Sequence, residues 1–396
     1  MKIFLSVLTW LLVPLFFIAK EDVDALKAEA DAGFLEAQNS MGILYYEGKS
    51  VEKNYKEAFK YFRMAAERGY AQAQNNLAIL YNNGFGVEKN PAEAVKWLKK
   101  AAKQGYAPSQ NALALCYKDG IGVDRNISEA VKWYAEAAKQ NHAEAMNNLG
   151  ILYYDGLGVK RDYAKAAELF GKSAASGFSL AQFNLGVCYN NGQGVRKNPF
   201  EAVKWYRKAA EQGHAQAQYN LGVLCERGEG VEKNLSEAFK CYLKAAKQGY
   251  APSQFSLGLS YFDAEGVSQD RAEAVKWWKK AAEQGHVMSI CNLGVCYENG
   301  YGVEKDLDKA LEYYFSAVEK GDGQSAYNLG ACYYNEENKI CDKVKACAWL
   351  LLALERGFKM AESTLNEVKM EITKEDFESA KKLFKKGKKE GFKLLL

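Results

Sequence analysis

Between residues 71 and 106 the apolar positions define two helices and the turn that joins them. Ala73, Leu77, Leu80 and Tyr81 follow the three-and-four spacing of an amphipathic helix, which predicts a first helix, A, over residues 71–83. Gly84 stops it. Gly84-Phe85-Gly86-Val87 reads as a loop whose glycines take positive φ while Val87 plugs the gap between helices. The second helix, B, opens on Asn90 as N-cap, with Pro91 at the first helical position and Glu93 completing a capping box. It turns Ala94, Trp97, Leu98 and Ala101 inward and Lys96 and Lys99 outward, and it ends at Gly105, a left-handed cap.

This 36-residue pattern recurs without insertion or deletion. Units begin at Leu35, Ala71, Ala107, Ala143, Ser179, Ala215, Ala251, Val287 and Gly323, and the ninth ends at Phe358. All nine place Asn or Asp at the B-helix N-cap, and Asn141, tolerant of positive φ, replaces the closing glycine in the third. Strict periodicity of this length predicts an all-α stacked array in which each unit touches its neighbours. Residues 21–34 read as a degenerate B helix capping one end. Residues 359–396 read as a capping helix pair, with Thr373 and Asp376 forming a capping box. The ninth unit loses its loop glycines (Asn335-Glu336-Glu337-Asn338-Lys339), which predicts a different connection there.

The pattern Ala-x-x-x-Asn-Leu-Gly-x-x-Tyr, then Gly-x-Gly-Val, then Glu-Ala-x-x-Trp/Tyr-x-x-x-Ala-Ala resembles Sel1-like repeats, relatives of the tetratricopeptide repeat. The fifth unit shows it in full: Asn184-Leu185-Gly186, Tyr189, Gly192, Gly194-Val195, Glu201-Ala202, Trp205 and Ala209-Ala210. The resemblance covers residues 35–358 and implies a right-handed α/α solenoid of helix-turn-helix repeats that binds proteins. It also implies that A helices line a concave groove, with their second, fifth, ninth and twelfth positions facing the ligand. The cysteine-rich branch of the family pairs a B-helix cysteine with one eight residues on. Here Ala102 with Gln110, Ala210 with Gln218 and Ala246 with Gln254 fill those places, so that disulfide ladder is absent.

At the fifth A-helix position the chain changes character. The first four units carry Asn39, Asn75, Asn111 and Asn147, whose amides suit an extended backbone. The next carry Phe183, Tyr219, Phe255, Cys291 and Tyr327, whose rings suit apolar anchors. The eight amides and rings are the candidate partner-binding residues, and packing between A helices is the alternative role for the same positions.

Residues 1–20 stand apart. Lys2 precedes an apolar run from Ile3 to Ala19 broken only by Ser6, Thr9 and Pro14, the layout of a signal peptide or membrane anchor. The expectation is an exported protein, periplasmic, secreted or anchored, with membrane contact only through this segment. Charge narrows the partners: 53 basic and 49 acidic residues, net +4, form a mixed surface without a basic stripe, which argues against nucleic acid. The C-terminal helix is locally basic (Lys381, Lys382, Lys385, Lys386, Lys388 and Lys389 beside Leu383, Phe384 and Phe392) and reads as a solvated cap rather than an interfacial membrane helix.

Chemistry finds no centre in the sequence, so neither cofactor nor metal is expected. His142, His214 and His286 close their units two repeats apart, about 20 Å at roughly 10 Å per helix layer, too far to share a metal. Gly171-Lys172-Ser173 and Gly48-Lys49-Ser50 lack the first glycine of a phosphate loop, and no nucleophile elbow occurs. Cys116, Cys188, Cys296 and Cys332 replace core leucines, while Cys225 and Cys241 read as two buried thiols, with a disulfide between them as the alternative in an exported protein. Asn126 and Asn234 match the glycan acceptor pattern but serve as N-caps. The expected function is a non-enzymatic scaffold or adaptor. The alternative is a ligand-binding protein or enzyme like the β-lactam-binding relatives of the cysteine-rich branch.

Overall fold

A computed structural model describes residues 20–396; the proposed export or anchor segment, apart from Lys20, lies outside the described residues. Twenty-one α-helices form, with no strand among the described residues. The chain divides into two compact units, one ending at Lys208 and one spanning Ala209–Leu396. In the first, the helix Lys20–Asp31 precedes A helices Leu35–Glu47, Ala71–Asn83, Ala107–Asp119, Ala143–Asp155 and Ser179–Asn191, alternating with B helices from Tyr55–Glu67 to Pro199–Glu211. In the second, A helices Ala215–Arg227, Ala251–Asp263, Val287–Asn299 and Gly323–Tyr334 alternate with B helices Leu235–Lys247, Arg271–Glu283, Leu307–Glu319 and Lys343–Glu355. Within each unit, taking the first four repeats and the last four, each A helix packs most extensively on its own B helix, and the B helix packs on the next A helix of that unit, the pattern of an α/α solenoid.

The glycine of the Asn-Leu-Gly motif sets how close A and B come. A Cβ at Gly186 would stand 2.6 Å from the Tyr206 ring, and one at Gly42 would stand 2.5 Å from Phe62. The same ring-on-glycine contact joins Gly150 to Phe170, Gly222 to Tyr242, Gly258 to Trp278 and Gly294 to Tyr314. Rings that lie flat against the backbone are almost wholly buried, as Tyr206, Tyr242, Trp278 and Tyr314 are.

The loop geometry follows the predicted glycines. Gly84 is left-handed (φ 76°) and its N–H bonds Leu80 O at 2.8 Å. Gly86 (φ 70°) approaches the preceding repeat so closely that a Cβ there would overlap the Tyr55 carbonyl. Gly105 (φ 88°) and Asn141 (φ 61°) are left-handed as expected. In the seventh repeat Ala264 holds the C-cap at φ 63°, a conformation that strains an alanine.

Asn90 caps the B helix by accepting from Glu93 N–H at 3.0 Å, but the reciprocal half of the predicted capping box does not form. The Asn90 N–H already donates to Tyr81 O at 2.7 Å, closing the loop, and the Glu93 carboxylate turns to Lys96 at 2.7 Å. The true capping box is at Thr373 and Asp376, in the C-terminal cap.

Glutamines occupy the places where a disulfide ladder would sit. Gln110 Nε2 donates to Ala102 O at 3.1 Å, and Gln218 and Gln254 do the same to Ala210 and Ala246 at 3.0 and 3.3 Å. Each glutamine in turn accepts from the glutamine that ends its own B helix, as in Gln140 to Gln110 and Gln248 to Gln218, both 2.8 Å. Where Met146, Ile290 or Ala326 replaces the first glutamine, the second is also gone, replaced by Ser176, Lys320 or Arg356. The first repeat keeps Gln38 but has Arg68 in the second place, and there the buried Gln38 Oε1 has no hydrogen-bond partner among the described residues, as expected for one buried amide without the other.

At the C-terminus, helices Ala361–Met370 and Lys374–Glu390 and a short turn Phe392–Leu395 cover the ninth repeat. Leu383, Phe384 and Phe392 pack onto that core, Phe392 lying 6.1 Å from Trp349, while Lys382, Lys385, Lys386 and Lys389 are exposed. The basic helix therefore spends its apolar side on capping. The ninth loop has its own connection: Asn335 is extended at φ −67°, and Asn338 Nδ2 donates to Cys332 O at 2.9 Å.

The two glycine roles separate under mutation. Gly105→Ala meets no atom within 4 Å and should lose only the left-handed strain, about 1–2 kcal/mol. Gly122→Ala, whose Cβ would overlap the Pro91 carbonyl, should lose roughly 1–3 kcal/mol more in urea denaturation. Equal losses would show that the repeat-to-repeat approach at this loop is not tight.

Candidate functional site

The A-helix face that the sequence nominates is built differently in the two units. In the first, the asparagines expected to meet a partner are buried: Asn39, Asn75, Asn111 and Asn147 are 3%, 7%, 4% and 0% exposed. Their amides are used between neighbouring A helices. Asn76 Nδ2 donates to Asn39 Oδ1 at 3.0 Å, Ser109 Oγ to Asn75 Oδ1 at 2.9 Å, Asn148 to Asn111 at 3.3 Å and Asn184 to Asn147 at 2.9 Å. A short polar side chain lets adjacent A helices approach, and once water is excluded its amide needs a protein partner. These four positions are a seam between repeats, which corrects the expectation that they face a ligand.

The rings at the same position are half-exposed. Phe183, in the first unit, lies 5.9 Å from Tyr206. In the second unit Tyr219 lies 5.8 Å from Tyr242 and 5.5 Å from Tyr250, Phe255 lies 4.8 Å from His286, and Tyr327 lies 5.2 Å from Phe358. Cys291, the remaining member, is buried. The ninth positions Val223, Leu259, Val295 and Ala331 are also half-exposed, and Met288, at a second position, is 59% exposed. Four A helices thus present apolar side chains in matching columns on residues 209–396, one edge of which carries Glu226 and Glu298 at the twelfth position. Sequence reasoning passed over those two carboxylates. Their signal was a spacing of 16 to a B-helix tyrosine, Glu226 with Tyr242 and Glu298 with Tyr314.

The side chains capable of covalent chemistry have structural roles. His142, His214 and His286 are A-helix N-caps: Nδ1 accepts from Ala145, Ala217 and Ser289 N–H at 3.2, 3.2 and 3.3 Å. Burial pushes the thiols of Cys116 and Cys296 up to about 12 and that of Cys188 to about 11, away from the thiolate a nucleophile needs. Cys225 and Cys241 are buried. Among the described residues no group of three His, Cys, Asp or Glu is placed to hold a metal. Asn126 and Asn234 use their side-chain oxygens to cap, accepting from Glu129 and Glu237 N–H at 3.0 and 2.9 Å. Cys341, which the sequence reading did not single out, is exposed in the altered ninth loop at the edge of an open pocket of about 600 Å³ with Lys343 and Glu371.

The histidine caps make stability pH-dependent. Burial holds all three imidazoles below their ordinary value of 6.5, so the folded chain prefers the neutral ring that can accept the capping bond. Their contribution is complete above about pH 6.5 and is lost as pH falls through the depressed folded-state values. The melting temperature should therefore drop between about pH 6.5 and pH 5, and replacing the three histidines by asparagine, a non-titrating cap, should flatten that part of the profile. An unchanged slope in the triple variant would assign the dependence to other groups.

A Sel1 repeat family model matches nine consecutive segments, 35–70, 71–106, 107–142, 143–178, 179–214, 215–250, 251–286, 287–322 and 323–358. No curated protein sequence matches the chain. Among solved structures, the chain is similar to a protective antigen present in uropathogenic Escherichia coli strains and displaying an SLR fold. That match has 31% identity, covers 94% of this chain and 88% of that one, and has a TM-score of 0.52. It is also similar to a Sel1 repeat protein from Oxalobacter formigenes, with 30% identity over 82% of this chain and 92% of that one and a TM-score of 0.60. With the repeat model spanning residues 35–358, the chain belongs to the Sel1 repeat family, whose solenoids generally serve as protein-interaction scaffolds.

Proposed function

We propose that this protein is an exported scaffold that binds a protein or peptide segment along the A helices of residues 209–396. The observation that carries this reading is the set of half-exposed rings Tyr219, Phe255 and Tyr327, flanked by Val223, Leu259 and Met288. Large, rigid apolar groups left half-exposed in register are what a partner's anchors pack against. Phe183 extends the same class of position into the first unit, while the buried asparagines do not take part. A scaffold is favoured over an enzyme because the histidines are caps and the thiols are held protonated. The disulfide positions of the cysteine-rich branch are glutamine-to-carbonyl hydrogen bonds here. Export is supported by the apolar run from Ile3 to Ala19 and by the likeness to a protective antigen.

Two measurements test this reading. Tyr219→Ala and Phe255→Ala should each weaken partner binding by roughly 1–3 kcal/mol where the ring is a hot spot, with helical content unchanged by circular dichroism. Lys244→Ala and Lys276→Ala, on B helices, should be near neutral. Full affinity in a folded double aromatic variant would place the site elsewhere. For the compartment, the full chain should fractionate with the envelope or medium and a chain lacking residues 1–20 with the cytosol; an intact full-length chain in the cytosol would contradict export.

A further inference from the structure

We infer that the segment bound on this strip is extended and carries two basic side chains about six residues apart, received by Glu226 and Glu298, with apolar residues between them. The inference rests on the proposal that the strip is a binding face, and it names the chemistry of the occupant.

Glu226 and Glu298 stand at the twelfth A-helix position of the sixth and eighth repeats. Seven residues after the fifth position and three after the ninth, they share the face of Tyr219 and Val223 in one repeat and of Cys291 and Val295 in the other. Each carboxylate is half-exposed and fixed from beneath. Tyr242 Oη donates to Glu226 Oε2 at 2.6 Å and Tyr314 Oη to Glu298 Oε2 at 2.5 Å, from rings only 2% and 0% exposed. Burial and the adjoining carboxylate push both hydroxyls up, so they remain donors and the carboxylates remain acceptors.

Neither carboxylate has a lysine or arginine partner among the described residues. Arg227 turns to Glu229 at 3.8 Å, and Arg271 lies over the rings of Phe262 and Tyr301, 5.1 and 4.7 Å from their centroids. This contrasts with B-helix acids, where Glu273 meets Lys276 at 2.8 Å and Asp306 meets Lys309 at 2.7 Å. The imbalance extends to whole elements: from residue 209 on, the four repeat A helices hold no lysine, whereas the four B helices that begin at Leu235 hold nine. A half-buried, oriented carboxylate without a counter-charge is poorly solvated, and a cation brought by a partner makes a charge-assisted bond there at little reorganisation.

Spacing follows from the repeat. Two repeats separate the carboxylates, about 20 Å at roughly 10 Å per layer, which an extended chain at about 3.3–3.6 Å per residue spans in about six residues. Between them lie Phe255, Leu259 and Phe262, all half-exposed, so the intervening residues of the occupant meet apolar side chains.

Fluorescence anisotropy with labelled synthetic peptides of roughly ten residues tests this on the full chain. One probe carries two lysines six apart with leucine and phenylalanine between; a second has glutamine for each lysine; a third places the lysines side by side. The wild type should prefer the first probe to the other two by about tenfold or more. Glu226→Gln and Glu298→Gln, which still accept from the tyrosines, should each lose most of that preference while binding the glutamine probe as before. A wild type that binds no probe or does not discriminate among them, or carboxamide variants that keep the preference, would overturn the inference. If Tyr219→Ala with Phe255→Ala weakens every probe while the carboxamides change nothing, the binding strip stands and only the charge assignment falls. If the aromatic pair changes nothing either, the strip itself is not the site.

Discussion

Seven of the nine repeats are held by a large B-helix side chain lying on their own A helix, a contact that the glycine at the eighth A-helix position permits; the second and third repeats have Ala78 and Ala114 there. Gly222 against Tyr242 and Gly294 against Tyr314 are the clearest cases, because a methyl group at either glycine would stand 2.6 or 2.5 Å from the ring. The close approach also threads the tyrosine hydroxyl through the core to the outer face of the A helix, where Glu226 or Glu298 accepts it. Where the twelfth position is Lys118 and the eighth is Ala114, the hydroxyl of the equivalent Tyr134 has no hydrogen-bond partner among the described residues. In the sixth and eighth repeats packing and the proposed site are therefore one construction: the tyrosine that packs on the glycine also orients the carboxylate.

Repeats with one backbone plan differ in what their A helices do. With Asn75 or Asn147 at the fifth position, neighbouring A helices bond to each other through amides and the face is sealed. With Tyr219 or Phe255 there, the ring leans on the N-cap residue that follows, Tyr250 or His286, and remains half-exposed. A small amide can be satisfied inside the seam, whereas a ring is too large to be enclosed there without pushing the helices apart.

What the sequence revealed was what short-range physics decides. The helix bounds at residues 71–83, the N-cap Asn90 and the left-handed Asn141 depend on neighbours a few residues away, and all stand as read. What it concealed depends on partners supplied by another helix. Asn75 looks like a groove residue until Ser109, 34 residues on, is seen to use its oxygen. The Glu93 capping box fails because the Asn90 N–H is taken by Tyr81 O across the loop. Glu226 looked like one more solvated carboxylate, and only the position of Tyr242 marks it as oriented. The glutamine relay was visible as two co-occurring positions in five of the nine repeats, but its meaning as a replacement for a disulfide needed the carbonyl of Ala102 in place.

The most direct test of the account places a photo-crosslinking phenylalanine analogue at single positions and maps the adducts by mass spectrometry in the native host. Positions 255 and 327, on the A-helix strip, should join the chain to one defined segment of a partner, and positions 244 and 276, on B helices, should not. Adducts to a partner from the B-helix positions alone would contradict the claim that this solenoid binds through its A helices.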